Sequence, residues 1–115
     1  YTLEIIENGV IWFGMYPNSS NYLQSKEKIK FGEKQYISAT FNGSEMKIYL
    51  NGKQIAYQKS DYLNYSKNHI DNTMLSANYY DTFQGTIHHA MMYDRALSLE
   101  EIMQNYQSDK LRYAK

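Results

Sequence analysis

Tyr36-Ile37-Ser38-Ala39-Thr40-Phe41-Asn42-Gly43-Ser44-Glu45-Met46-Lys47-Ile48-Tyr49-Leu50-Asn51-Gly52-Lys53-Gln54-Ile55-Ala56-Tyr57 decides the fold class. Ile37, Ala39 and Phe41 share one face, as do Met46, Ile48 and Leu50, while Lys47 and Tyr49 point the other way. A period of two belongs to a β-strand, whose successive side chains alternate between faces. Asn42-Gly43 and Asn51-Gly52 divide the stretch into apolar runs. Asn-Gly accepts positive φ at both centres of a type I′ turn, so each step predicts a hairpin. The stretch is an antiparallel meander with one buried face.

Upstream, Asn8-Gly9 separates Thr2–Glu7 from Val10–Tyr16 in the same way. The polar segments Pro17–Glu27 and Gln58–Asn72, rich in Asn, Ser and Tyr, read as loops. Pro17, the sole proline, sits at a strand exit, where its missing N–H does least harm. Met74–Asn78 and Gly85–Tyr93 are further strands. In the second, Ile87, His89, Met91 and Tyr93 face one side and Thr86, His88, Ala90 and Met92 the other. Both faces are largely apolar, the pattern of a central strand covered on two sides. Ser98 then opens a helix: Ser98 and Glu101 form a capping box, and Leu97 and Ile102 a hydrophobic staple. Leu99, Ile102, Met103 and Tyr106 fall on one side of about two turns, enough to dock on a sheet as a terminus clamp.

Composition narrows the function classes. At 115 residues the chain is at most one domain, and its formal net charge of zero implies no basic face for nucleic acid. With no cysteine it has no disulfide framework, and no apolar run approaches the ~20 residues that span a bilayer. Nucleic acid and membrane insertion are therefore not expected. The sequence opens at Tyr1 with no secretory pattern, so residues 1–115 read as a single domain taken from a longer chain. Thirteen tyrosines supply amphipathic contact surface of the kind that suits sugar and protein recognition.

Three blocks carry a family resemblance. Phe31-Gly32-Glu33-Lys34-Gln35-Tyr36-Ile37-Ser38-Ala39-Thr40-Phe41-Asn42-Gly43-Ser44 is similar to a strand that enters with an aromatic and turns at Asn/Asp-Gly. Met46-Lys47-Ile48-Tyr49-Leu50-Asn51-Gly52-Lys53 resembles a hydrophobic-Tyr-hydrophobic-Asn-Gly-Lys strand and turn, and Gly85–Ile102 resembles the closing segment. In this order and spacing they resemble the concanavalin A-like lectin/glucanase superfamily, in its laminin G-like form. The resemblance implies an all-β, antiparallel two-sheet jelly-roll sandwich with one short C-terminal helix, lacking the opening strands usual before the position of Tyr1. A sandwich so shortened is expected to leave a sheet edge for neighbouring polypeptide to cover. The ending, from Tyr93-Asp94-Arg95-Ala96-Leu97 to Leu111-Arg112-Tyr113, also looks like the C-terminus of jelly-roll domains on phage structural proteins. Secreted adhesins and multi-domain carbohydrate-active proteins carry similar endings. One departure is clear: the family often has an acidic pair after Gly-x-Ile, where this chain has His88-His89.

The chemistry points to binding. Retaining glycosidases need two carboxylates about 5–5.5 Å apart, which residues i and i+2 of a strand provide roughly. Glu4 and Glu7 are three apart, and Glu100-Glu101 begins a helix, so no catalytic pair is present and an enzyme is not expected. His88 and His89, adjacent on a strand, would point to opposite faces and cannot chelate one ion from one side. Calcium needs six to eight oxygen ligands. Asp61, Asn64, Asp71, Asn72, Asn78 and Asp81 lie in or beside loops and are weak candidates, led by Asp71 and Asp81, because Asx side chains also form turns unaided. The leading ligand site is Asn78-Tyr79-Tyr80-Asp81, with Asn64-Tyr65 as a neighbour, combining stacking faces with hydrogen-bonding groups. A packing role for these tyrosines at a contact between copies is the competing reading.

The resulting expectation is a non-catalytic module. It decorates a phage virion and attaches to host-surface glycans, other polymers or neighbouring virion proteins, or it is a carbohydrate-binding or adhesion domain of a secreted cellular protein. Ser98→Ala should destabilise the fold by about 1 kcal/mol through loss of the cap, read as a lower midpoint in thermal or urea unfolding.

Overall fold

The computed structural model describes residues 2–6, 8–14, 22–59 and 85–114. Among them are six strands and one helix. These are β1 (Thr2–Ile5), β2 (Val10–Gly14), β3 (Tyr22–Lys28), β4 (Ile37–Phe41), β5 (Glu45–Leu50), β6 (Lys53–Lys59) and α1 (Leu99–Arg112). The strands form two antiparallel sheets, β1-β2-β3 and β4-β5-β6, here called sheets A and B. Ile11, Phe13 and Leu23 of sheet A meet Met46 and Ile48 of sheet B in one buried cluster, flanked by Ile29, Ile37, Ala39, Phe41, Leu50 and Ile55. This is the two-sheet sandwich with a C-terminal helix that the sequence implies.

The meander follows the reading closely, but its turns differ in kind. Asn51 (φ 52°) and Gly52 (φ 79°) both adopt positive φ, as a type I′ turn requires. Asn51 also accepts the Tyr36 N–H on its side-chain oxygen (2.9 Å) and donates its own N–H to the Tyr36 carbonyl (2.8 Å). At the other two steps only the glycine is left-handed, and the asparagine organises the loop through its side chain. Asn42 Oδ1 accepts from the Ser44 N–H (2.9 Å), the Glu45 N–H (2.8 Å) and the Ser44 hydroxyl (3.2 Å). Asn8 Oδ1 accepts from the Val10 N–H at 3.2 Å. These are Asx-type turns, which satisfy the chain without an αL asparagine.

Two expectations are corrected. Tyr22–Lys28, which overlaps the expected loop Pro17–Glu27 in all but Lys28, is a strand paired with β2. Leu23 and Ser25 point into the core and Gln24 and Lys26 outward, so the alternation is present but carries only one apolar residue on its inner face. Gly85–Tyr93 is not a central strand. It pairs with neither described sheet and is exposed throughout. A strand exists through its ladder, and an apolar pattern alone supplies no partner. The proposed strand Met74–Asn78 lies outside the described residues.

Val10 and Ile11 are consecutive yet both buried, which simple alternation forbids. A shift in the β2–β3 register between Val10 and Trp12 resolves this. It leaves the Ile11 N–H to the hydroxyl of buried Ser25 (2.9 Å), which itself donates to the Glu27 carbonyl at 2.6 Å. Bulges free backbone groups that must find partners elsewhere, and Ser25 is that partner. Ser25→Ala strands a buried N–H, so unfolding free energy should fall by about 1–3 kcal/mol in a urea titration. Ser25→Thr, which keeps the hydroxyl, should lose less.

The helix has the predicted capping box: the Ser98 hydroxyl accepts the Glu101 N–H (3.2 Å), and Glu101 Oε1 accepts the Ser98 N–H (3.1 Å). It runs 14 residues, about four turns and twice the expected length. Lys110 and Arg112 complement the dipole at its C-terminal end, and Lys34 Nζ donates to the Tyr113 carbonyl at 2.8 Å. Ile102 is buried in the fold, while Leu99 and Met103 stay partly open.

Candidate functional site

Once the inner rows of sheet A are fixed, its outer rows follow. Leu3, Phe13 and Leu23 are cross-strand partners, of which Phe13 and Leu23 are buried in the core and Leu3, on the edge strand, stays exposed. The alternate rows, Glu4–Trp12–Gln24 and Thr2–Gly14–Tyr22, therefore face away from sheet B. Same-face rows of this kind lie within ~7 Å of each other, so six residues form one patch. The Trp12 and Tyr22 rings stand 5.4 Å apart at 47°. Gly14 makes that approach feasible, because any Cβ there would overlap the Tyr22 ring.

Hydrogen-bonding groups flank the rings. The Thr2 hydroxyl donates to Glu4 Oε1 at 2.9 Å. Burial, reinforced by the Glu4 charge, raises the Tyr22 phenol above its ordinary pKa, so it stays neutral and able to donate. The Trp12 indole N–H is buried and has no hydrogen-bond partner among the described residues. An unpaired buried donor is uncommon in folded proteins.

The outer face of sheet B is different because α1 lies on it. Tyr49, expected to point to solvent, is 2% exposed, and Met103 and Tyr106 pack against Gly52 in the β5–β6 turn. Between this sheet and the residues leading into the helix is a groove of about 380 Å³. Thr40, Lys47 and Gln54 form one wall of it, and Leu97 and Leu99 the other. Glu101 closes the groove's end, held by Arg95 through two hydrogen bonds of 2.8 and 2.5 Å.

Asn64, Tyr65, Asn78, Tyr79, Tyr80 and Asp81 lie outside the described residues, as do the calcium candidates Asp61, Asp71 and Asn72. Among the described residues no three His, Cys, Asp or Glu side chains group as metal ligands, and no helix is long and apolar enough to cross a membrane. His88 and His89 do not diverge as strand neighbours would. Both rings lie beside Tyr113 (5.6 and 6.1 Å), and His89 Nδ1 is 3.5 Å from Asp109 Oδ1. With Asn105 donating to the Tyr93 hydroxyl (3.3 Å), they fasten the 88–93 segment to the helix.

The patch on sheet A was missed because β3 was read as a loop, leaving Trp12 without a register. The usable signal was Gly14, a glycine inside an apolar strand two residues from the only tryptophan.

Two antiparallel three-stranded sheets packed face to face, with one helix at the C-terminal end, define the class: a jelly-roll-type β-sandwich. Its family is given by a family model described as the concanavalin A-like lectin/glucanases superfamily, which matches residues 1–103; the chain belongs to that superfamily. Its fold is similar to the crystal structure of residues 221–444 of an S-layer domain-containing protein from Clostridium thermocellum, with TM-score 0.52 and 23% identity. That match covers 85% of this chain and 52% of the other, so the chain spans about half of the solved relative. No curated protein matches it.

The helix start gives a pH test. The Arg95 guanidinium, then the Ser98 N–H, hold the Glu101 carboxyl down at about 2. A group whose folded pKa is depressed stabilises the fold fully above its unfolded pKa, here 4.5, and loses that contribution as pH falls toward 2. Thermal midpoints should therefore fall less steeply between pH 4.5 and 2 in Glu101→Gln than in the parent protein.

Proposed function

We propose that this domain is a non-catalytic carbohydrate-binding or adhesion module displayed outside the cell. The observation that carries this reading is the Trp12–Tyr22 pair on the outer face of sheet A, flanked by Glu4, Thr2 and Gln24. Pyranose rings present C–H faces that pack on aromatic rings and hydroxyls that pair with carboxylates and amides. A rigid sheet holds these groups in place without ordering cost at binding. Membership of a lectin/glucanase superfamily supports the ligand class.

Binding is favoured over hydrolysis by where the acids stand. The described strands carry Glu4, Glu27 and Glu45, one to a strand. Glu27 is spent on Lys53 (3.3 Å) and Glu45 lies 3.8 Å from Lys47. Glycoside hydrolysis needs two carboxyls about 5–9.5 Å apart across one bond.

The setting is an exported protein of the cell surface or, as a second reading, a phage virion. The first is in keeping with the S-layer domain-containing protein of similar fold, the second with the wording of the segment from Tyr93 to Tyr113. Calcium belongs to the same proposal, through Asp71 and Asp81, and host-surface polymers or neighbouring copies are the partners it would serve.

A glycan array run with and without calcium tests the reading. Binding to a defined set of glycans is expected, and Trp12→Ala or Tyr22→Ala should weaken it at least tenfold, about 1.4 kcal/mol each. Tyr79→Ala combined with Tyr80→Ala tests the loop site in the same assay. A blank array would point to a structural surface module instead.

A further inference from the structure

Asn8-Gly9, Asn42-Gly43 and Asn51-Gly52 are alike in sequence, yet the fold places them in three different chemical environments. An asparagine followed by glycine has a reaction of its own. The glycine nitrogen can close on the asparagine side-chain carbonyl carbon, since a following residue without a Cβ opposes that approach least. Closure needs a free nitrogen, a turn that can move, and donors to meet the oxyanion that develops.

At Asn8 the nitrogen is engaged. The Gly9 N–H donates to the Ile6 carbonyl (2.8 Å), and Gly9 is buried, so that a Cβ there would fall 3.3 Å from the Ile29 carbonyl oxygen. At Asn51 the turn is clamped. Gly52 is buried under Met103 and Tyr106, and Asn51 is tied to Tyr36 through both its N–H and its side-chain oxygen. Asn42-Gly43 is the opposite case. Asn42, Gly43 and Ser44 are all exposed, and nothing lies within 4 Å of where a Gly43 Cβ would stand. Among the described residues the Gly43 N–H and Asn42 Nδ2 donate no hydrogen bond. Asn42 Oδ1, by contrast, accepts from the Ser44 N–H, the Glu45 N–H and the Ser44 hydroxyl. These donors sit on the oxygen where negative charge would develop and leave the carbon beside it open to attack.

We propose that Asn42 is a self-modification site, which deamidates through a cyclic imide in the folded protein while the fold protects Asn8 and Asn51. Hydroxide removes the Gly43 amide proton, and the nitrogen forms a bond to Asn42 Cγ as the carbonyl electron pair moves onto Oδ1. Collapse of that oxyanion breaks the Cγ–Nδ2 bond, and Nδ2 takes a proton from water and leaves as ammonia. Water then opens the ring. Cleavage of the Cγ–N bond leaves aspartate at position 42, and cleavage of the main-chain carbonyl–N bond leaves isoaspartate. Water is the only co-reactant, and nothing is oxidised or reduced. Either product adds a negative charge to a chain whose formal net charge is zero. Isoaspartate also routes the main chain through the former side chain, so the Ser44 and Glu45 N–H groups lose the acceptor that shapes the turn between β4 and β5. The proposal is independent of the carbohydrate reading.

Peptide mapping by mass spectrometry after incubation of the folded protein at mildly alkaline pH tests it. Cleavage after lysine puts the three steps in separate peptides, residues 1–26, 35–47 and 48–53. Conversion at Asn42 should run at least about tenfold faster than at Asn8 or Asn51, and should accelerate as pH rises. In urea, where the fold no longer distinguishes them, the three steps should convert at comparable rates. Equal rates at the three positions in the folded protein, or a preference for Asn42 that survives unfolding, would overturn the assignment.

Discussion

The contact of Ile11, Phe13 and Leu23 with Met46 and Ile48 is the constraint on which the rest of the structure depends. Burying these side chains removes apolar surface from water at roughly 25 cal/mol per Å². Its structural consequence is larger than its energy. Because strand side chains alternate, choosing the inner rows also chooses the outer ones, and a one-residue slip would exchange them. Phe13 and Leu23 inward therefore means Trp12, Tyr22 and Glu4 outward. The bulge at Val10–Trp12 modifies that rule at one point, and the Ser25 hydroxyl makes the exception affordable by pairing with the Ile11 N–H. The chemistry of the outer face is thus a by-product of register.

The two outer faces are used differently. On sheet B, α1 covers Tyr49, and the fit is tightest at Gly52. A Cβ there would come within 2.9 Å of Met103 Sδ and 3.1 Å of Tyr106 Cδ1. Gly52 thus meets two demands at once, a φ of 79° and close approach of the helix. Asn51 beside it ties the turn to the entry of β4 through Tyr36. On sheet A, no described helix or strand lies over the Trp12 row. One face carries the chain's own helix, with a groove at its start, and the other carries the Trp12–Tyr22 pair, both half-buried.

Much of this was legible in the sequence where the determinants are local. The period-two runs of Ile37–Tyr57, the three Asn-Gly turns and the Ser98–Glu101 capping box each involve residues a few positions apart. The two failures share a physical cause. Tyr22–Lys28 is a strand by virtue of its ladder with β2, and its own inner face offers only Leu23. Gly85–Tyr93 has the apolar faces of a strand but pairs with neither described sheet, so its residues lie open, Met92 at 82%. Strand pairing is non-local, and a pattern read within one segment cannot report it. The patch on sheet A was hidden for the same reason. Trp12, Glu4 and Gln24 become one site only when three strands are in register.

Trp12 is the only tryptophan in the chain, so the protein carries its own reporter at the proposed recognition face. The most direct measurement is its intrinsic fluorescence during titration with a glycan ligand, together with quenching by iodide. A sugar stacked on the sheet A face should change the emission saturably and shield the indole from the quencher. A glycan that binds by calorimetry yet leaves both signals unchanged would place recognition elsewhere and contradict the account.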